Sequence, residues 1–175
     1  MPQDVDHPAA PDGADAVDRL VGQWRRERPD LDPSPMHVVG RITRLHLALE
    51  ERLCQVFNRY DLGRGEFDVL ATLRRSGPPF ELTAGDLSGS TMVTSGAVTK
   101  RVDRLERAGL VSRRASADDA RGRLVRLTDR GRRLIDEVVE EHLRNETRLL
   151  AGLTPDERNT LTGLLRKLAL TLPGA

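Results

Sequence analysis

The stretch SGAVTKRVDRLERAGLVSRR, residues 95–114, decides the fold. Val98, Val102 and Leu105 stand at i, i+4 and i+7, the spacing of one buried helical stripe, while Gly96, Lys100, Asp103, Arg104 and Arg107 fall on the opposite side. A helix so marked is predicted to seat one flank on a protein body and leave a basic flank free. Thr94 is its predicted N-cap, which leaves the amides of Ser95 and Gly96 at the positive end of the helix dipole, where an anionic group is favoured. Gly96 permits close backbone approach there, and Gly109 stops the helix.

Downstream, VSRRAS and LVRLT read as two strands around the polar loop ADDARGR, with Val111, Leu124 and Leu127 supplying the alternation. Upstream, Thr83 followed three residues later by Asp86 is a capping-box pattern opening a helix of two turns, and TMVT, residues 91–94, is the turn into the basic helix. Helix, turn, helix and β-hairpin in that order predict a winged helix-turn-helix. In such a unit the helix start meets base edges in the major groove, so Thr94, Ser95, Gly96, Thr99, Lys100 and Arg104 are the candidate DNA contacts. An arginine on a thin β tip suits the narrow, electronegative minor groove, which adds Arg121 and Arg123.

Charge distribution agrees. Net charge is only +1, yet residues 99–133 hold 12 Lys and Arg against 5 Asp and Glu, so that fifth of the chain carries +7 and the remainder −6. Such concentration is the footprint of a polyanion partner.

Working further outward, residues 1–13 are rich in Pro, Asp and Ala and are predicted to be a disordered tail. From Ala14, Val17, Leu20, Val21 and Trp24 fall at helical spacing until Pro29. Val38, Ile42, Leu45, Leu49, Leu53 and Val56 predict one long helix from Ser34 to Tyr60. A further helix turns Phe67, Leu70, Ala71 and Leu73 inward and closes at Gly77 and two prolines. Thr128 caps a helix carrying Leu134, Ile135, Val138, Val139, Leu143, Leu149 and Leu150, and Thr154, Pro155 and Glu157 start a last helix lined by Leu161, Leu164, Leu165 and Leu168. The fold class is mainly α with a small β-hairpin wing. Residues 14–62 and 129–175 are expected to form dimerisation helices and residues 63–128 the DNA-binding unit, because the apolar stripes exceed what a compact domain of this size hides.

One cysteine, Cys54, excludes an intrachain disulfide, and it sits in an apolar helix without a basic neighbour to activate it, so it reads as a core thiol. The histidines are too scattered for metal-ligand spacing, and no cofactor is expected. The N-terminal segment lacks an apolar signal region and no run approaches membrane-spanning length, so a cytoplasmic location is expected, with no membrane partner. No nucleophile elbow, phosphate-cradling loop, HExxH or paired-cysteine motif occurs, so the chain is not expected to be an enzyme.

At SGAVTKRVDRLERAGLV and DARGRLVRLT, the chain resembles the recognition helix and wing motif of the MarR family of bacterial transcriptional regulators, over about residues 35–172. The resemblance implies a homodimer on a pseudo-palindromic operator, commonly a repressor, with Ser95, Gly96, Thr99 and Lys100 facing the major groove and Arg121 the minor groove. The added N-terminal helix with its tryptophan resembles the urate-responsive branch. Carried over, that branch's ligand site comprises Trp24 in GQW, Asp68 in EFDVL, Arg101 in TKRV and Arg113 in VSRR. Two guanidiniums there would clamp a small planar or carboxylate anion, with Trp24 over its face and Asp68 accepting a ligand N–H or holding an arginine. Urate is the first candidate, with purines and aconitate- or citrate-like carboxylates as alternatives. The same residues also admit purely structural roles, with Asp68 paired to Arg101 or Arg113 and Trp24 anchoring its helix. A nonspecific architectural DNA binder without a ligand is the competing function.

Overall fold

The computed structural model describes residues 13–90, 95–115 and 123–172, so the expected tail, the TMVT turn with Thr94, and the wing tip with Arg121 lie outside the described residues. The described elements are α1 (Ala16–Glu27), α2 (Met36–Asn58), α3 (Arg64–Arg75), β1 (Glu81–Thr83), α4 (Ala84–Ser90), α5 (Ser95–Arg107), β2 (Val111–Ala115), β3 (Arg123–Leu127), α6 (Asp129–Leu149) and α7 (Pro155–Ala169). They fall into two compact units, one ending at Glu51 and the other starting at Arg52, with the break inside α2.

In the first unit, α1 opens on a reciprocal capping box. The Asp15 carboxylate accepts from the amides of Val17 and Asp18, and the Asp18 carboxylate accepts from the Asp15 amide. Both carboxylates also hold Arg41 of α2, at 2.9 Å from Asp15 and 2.8 Å from Asp18. Arg41's hydrogen bond is the chief reason the Asp18 carboxyl lies below its ordinary range. Only Val17 and Val21 of α1 are buried. Leu20 and Trp24, expected inward with them, are 42% and 44% exposed.

The second unit holds the core, in which Phe57, Val69, Leu70, Leu73, Leu87 and Ile135 are sealed from solvent around α5 and the sheet. On α3, Val69 and Thr72 join the expected Leu70 and Leu73 as fully buried side chains, and Phe67 stacks on Phe57 at 4.1 Å between ring centroids. Thr72 satisfies its buried hydroxyl by donating to the Asp68 carbonyl.

The sheet has three strands in the order β1-β3-β2, where the sequence reading has a two-stranded hairpin. Three residues are too few to show alternation, and β1 forms because β3 offers it a free edge: Glu81 pairs with Arg126 and Thr83 with Leu124. The inward residues of β3 are Val125 and Leu127, which corrects the expectation for Leu124. Leu124 and Leu127 are three apart, and a period of two cannot put both on one face. Thr83 then caps α4 as expected, accepting from the Asp86 amide at 3.0 Å.

α5 ends in a Schellman motif. Leu110 N–H donates to the Leu105 carbonyl and Gly109 N–H to that of Glu106, both at 2.9 Å, with Gly109 at φ +69°. Thr128 fastens this end to the next helix: its hydroxyl donates to the Gly109 carbonyl at 2.8 Å and accepts the Gly131 amide at 3.0 Å. A Cβ on Gly131 would collide with the Leu110 carbonyl, so only glycine lets α6 approach the wing base this closely.

α6 buries Ile135 and Val138 but leaves Leu143 at 55% exposure, and α7 buries nothing. Leu161, Leu164, Leu165 and Leu168 are all exposed, as are Val38, Ile42 and Leu45 on α2. No helix among the described residues is long and apolar enough to cross a membrane.

Candidate nucleic-acid interface

α5 is two-faced in the expected register. Val98, Val102 and Leu105 are 3%, 2% and 1% exposed, and Thr99, Lys100 and Arg107 face solvent. Ser95 and Gly96 occupy its first turn. Arg123 is exposed at the start of β3, with Arg126 exposed two residues after Leu124. Arg104 differs from the others. Its guanidinium reaches Asp61 at 3.6 Å and Glu66 at 3.8 Å, toward the turn between α2 and α3.

The ligand candidates fall in three places. Arg113, on β2, is clamped to the basic helix itself: it donates to Asp103 at 2.6 Å and Glu106 at 2.8 Å, and its backbone N–H donates to Glu106 at 3.1 Å. The carboxylates that hold it are therefore those of α5, where the sequence reading has Asp68. Chain reversal at Gly109 was the available signal, since it folds the first wing strand back along the last turns of the helix. The Arg113 side chain is only 17% exposed and borders a cavity of about 410 Å³ between α4, α5 and the sheet, floored by Leu87, Val98, Val102 and Val125.

Arg101 lies across Gly65 of α3, where any Cβ would meet its guanidinium stem. Its Nη1 is buried with no hydrogen-bond partner among the described residues. Asp68 stands three residues beyond Gly65 on the same helix and is half-buried. Gly65 is the site residue that sequence reasoning missed, because an isolated glycine in a first helical turn carries no pattern. Trp24 belongs to the first unit.

Residues 60–122 match the model of the MarR family, which spans α3, the helix-turn-helix and the first part of the wing. The HTH-type transcriptional regulator PecS of Dickeya dadantii (strain 3937) is 42% identical over 149 residues, 85% of this chain and 90% of the relative. The chain belongs to the MarR family. The multiple antibiotic resistance protein MarR of Escherichia coli (strain K12) is 32% identical over 133 residues, covering 74% of this chain and 89% of the relative. Among solved structures, a mutant of E. coli MarR complexed with operator DNA aligns with TM-score 0.66 at 26% identity, over 83% of this chain and 96% of that one. Bordetella bronchiseptica BpsR, whose DNA binding is regulated by 6-hydroxynicotinic acid, aligns with TM-score 0.68 at 27% identity, over 75% and 92%. The chain is thus a DNA-binding transcriptional regulator of the MarR family with its winged helix-turn-helix.

Proposed function

We propose that this MarR-family regulator is a repressor that binds a pseudo-palindromic operator as a homodimer and is released by a small anion, with urate the first candidate. Thr94, Ser95, Gly96, Thr99 and Lys100 read the major groove, with Arg121 and Arg123 at the minor groove. Arg104, turned toward Asp61 and Glu66, contributes from the rim of that surface. Residues 63–128 carry DNA binding, and the exposed leucines of residues 14–62 and 129–175 are covered by a second copy.

The observation that carries ligand release is Arg101: a buried guanidinium nitrogen without an acceptor, rooted in the recognition helix. A cation so placed is costly until an anion arrives. Trp24, Asp68, Arg101 and Arg113 form the site in this reading. The likeness to PecS and the regulation of BpsR by an aromatic carboxylate support it. Citrate- or aconitate-like acids are the second ligand class, favoured by two guanidiniums in the set.

The test is titration of the protein–operator complex with urate, purines and citrate-like acids, against random-duplex competitor at physiological salt. Release by one of these with retained operator preference is expected, and Lys100→Ala and Arg121→Ala should each weaken operator binding. Equal competition by random DNA would favour the architectural reading.

A further inference from the structure

A second cavity, of about 480 Å³, opens at the corner where the α2–α3 turn, the last turns of α5 and the first turns of α6 meet. Its size is that of a small-ligand site. Arg104, Arg130 and Arg133 line it, together with the acids Asp61, Glu66 and Glu137. Formal charge balances, but the commitments of the two sets do not.

The acids do not close tightly on these arginines. Glu137 accepts the Tyr60 hydroxyl at 3.1 Å. Glu66 is folded against Gly63 at the start of α3 with its side chain 12% exposed, whereas the Asp61 side chain is wholly in solvent. On the cationic side, Arg104 meets the carboxylates of Asp61 and Glu66 at 3.6 and 3.8 Å and donates to the Asp61 carbonyl at 3.5 Å, all beyond the 2.7–2.9 Å of a charge-assisted hydrogen bond. Arg130 and Arg133 have no ion-pair partner among the described residues. Three guanidiniums with fifteen N–H donors between them therefore converge on one concavity without a tight acceptor. Leu62, Leu105 and Leu134 supply its apolar wall.

We infer that this corner is a second anion site, separate from Arg101 and Arg113, for a small molecule bearing at least two acid groups. One acid group engages Arg104 on α5 and another engages Arg130 and Arg133 on α6, so the occupant ties the end of the recognition helix to the helix that follows the wing. Phosphate and carboxylate share the fork geometry that guanidinium recognises, and the two sources are told apart by the probe.

Calorimetric titration of the DNA-free full chain with pyrophosphate, and separately with citrate, at about 0.15 M salt tests this. Saturable binding is expected for at least one probe, with one anion per chain lost in the arginine variants of this corner and acetate binding far more weakly. Arg130→Gln and Arg133→Gln should each weaken it about tenfold or more, while the α7 control Arg166→Gln leaves it unchanged. Unfolding temperatures measured alongside separate lost binding from lost fold, and Arg133→Lys should bind better than Arg133→Gln. Equal binding in all variants, or no saturable binding of either probe, would overturn the inference. Urate release through Arg101 and Arg113 stands or falls separately.

Discussion

Gly65→Ala is expected to raise or preserve stability while weakening the ligand response. Gly65 sits in the first turn of α3, where alanine gains about 0.5–1 kcal/mol over glycine. The nearest atoms to the added methyl all belong to the Arg101 side chain, so that obstruction clears by a rotamer change of a long side chain. Displacement also takes the Arg101 Nη1 out of a buried position without an acceptor, relieving a penalty of about 1–3 kcal/mol. Against these gains stand lost packing of the stem and a rotamer cost of about 0.5–1.5 kcal/mol. The balance lies near zero or on the stabilising side. The ligand's partner has moved, however, and loss of one charge-assisted contact should weaken the response about tenfold or more. Denaturant unfolding and urate titration of the protein–operator complex read the two quantities. A variant that unfolds more than about 2 kcal/mol more easily, or that keeps the parental dose response, would refute the reasoning.

Gly131→Ala presents the opposite case, because its methyl meets the Leu110 backbone, which cannot rotate away. Overpacking and a strained Thr128 cap should cost about 2–4 kcal/mol, seen as a fall of roughly 5–15 °C in unfolding temperature; an unchanged midpoint would argue against the close approach of α6 to the wing base. Arg113→Ala should cost about 1 kcal/mol through its pairs with Asp103 and Glu106 and should blunt ligand release, while an unchanged urate dose response would remove it from the site. Glu81, held by Arg114 at 2.7 Å with its side chain 7% exposed, has its carboxyl lowered chiefly by that hydrogen bond, with burial opposing. A lowered carboxyl binds fewer protons folded than unfolded, so its contribution is present above the ordinary value of 4.5 and is lost as pH falls through the folded value. Glu81→Gln should therefore be less stable than the parent at neutral pH and converge with it in acid, as pH-dependent thermal melts would show. Leu164→Asp with Leu165→Asp should yield a monomer by light scattering; a persistent dimer would place the contact elsewhere.

Most of the fold was legible because its determinants are local. The stripe of Val98, Val102 and Leu105, the glycine stop at Gly109 and the caps at Thr83, Thr128 and Thr154 each specify structure within a few residues, and each stands where periodicity and capping chemistry place it. What escaped depends on neighbours distant in the chain. β1 exists because the edge of β3 needs a partner, and Gly65 matters because Arg101 crosses it from another helix. The burial of Val69 and Thr72 beside Leu70 and Leu73 shows α3 enclosed more widely than one amphipathic stripe predicts. On the outward flank of α5, Arg104 stays exposed as the helical wheel has it, and what the wheel does not show is that its guanidinium turns toward Asp61 and Glu66.

The ties holding α5 also show where a ligand has leverage. Its C-terminal end is fixed by backbone hydrogen bonds and by the Thr128 hydroxyl, with Leu105 and Leu110 buried beside them. Moving that end means breaking several such bonds and exposing core, which exceeds the roughly 1–3 kcal/mol of a typical coupling between sites. Its flank is tied differently, through Arg113 to two carboxylates that are 49% and 39% exposed, contacts worth about 1 kcal/mol or less each. An anion that draws Arg113 away from Asp103 and Glu106 releases two negative charges onto the basic helix at modest cost, and both stand on the element that reads DNA. Such a ligand need not unseat the helix to weaken operator binding. Placing unpaired carboxylates beside a phosphate backbone already disfavours the complex, and the differential affinity required for release follows from electrostatics at the flank.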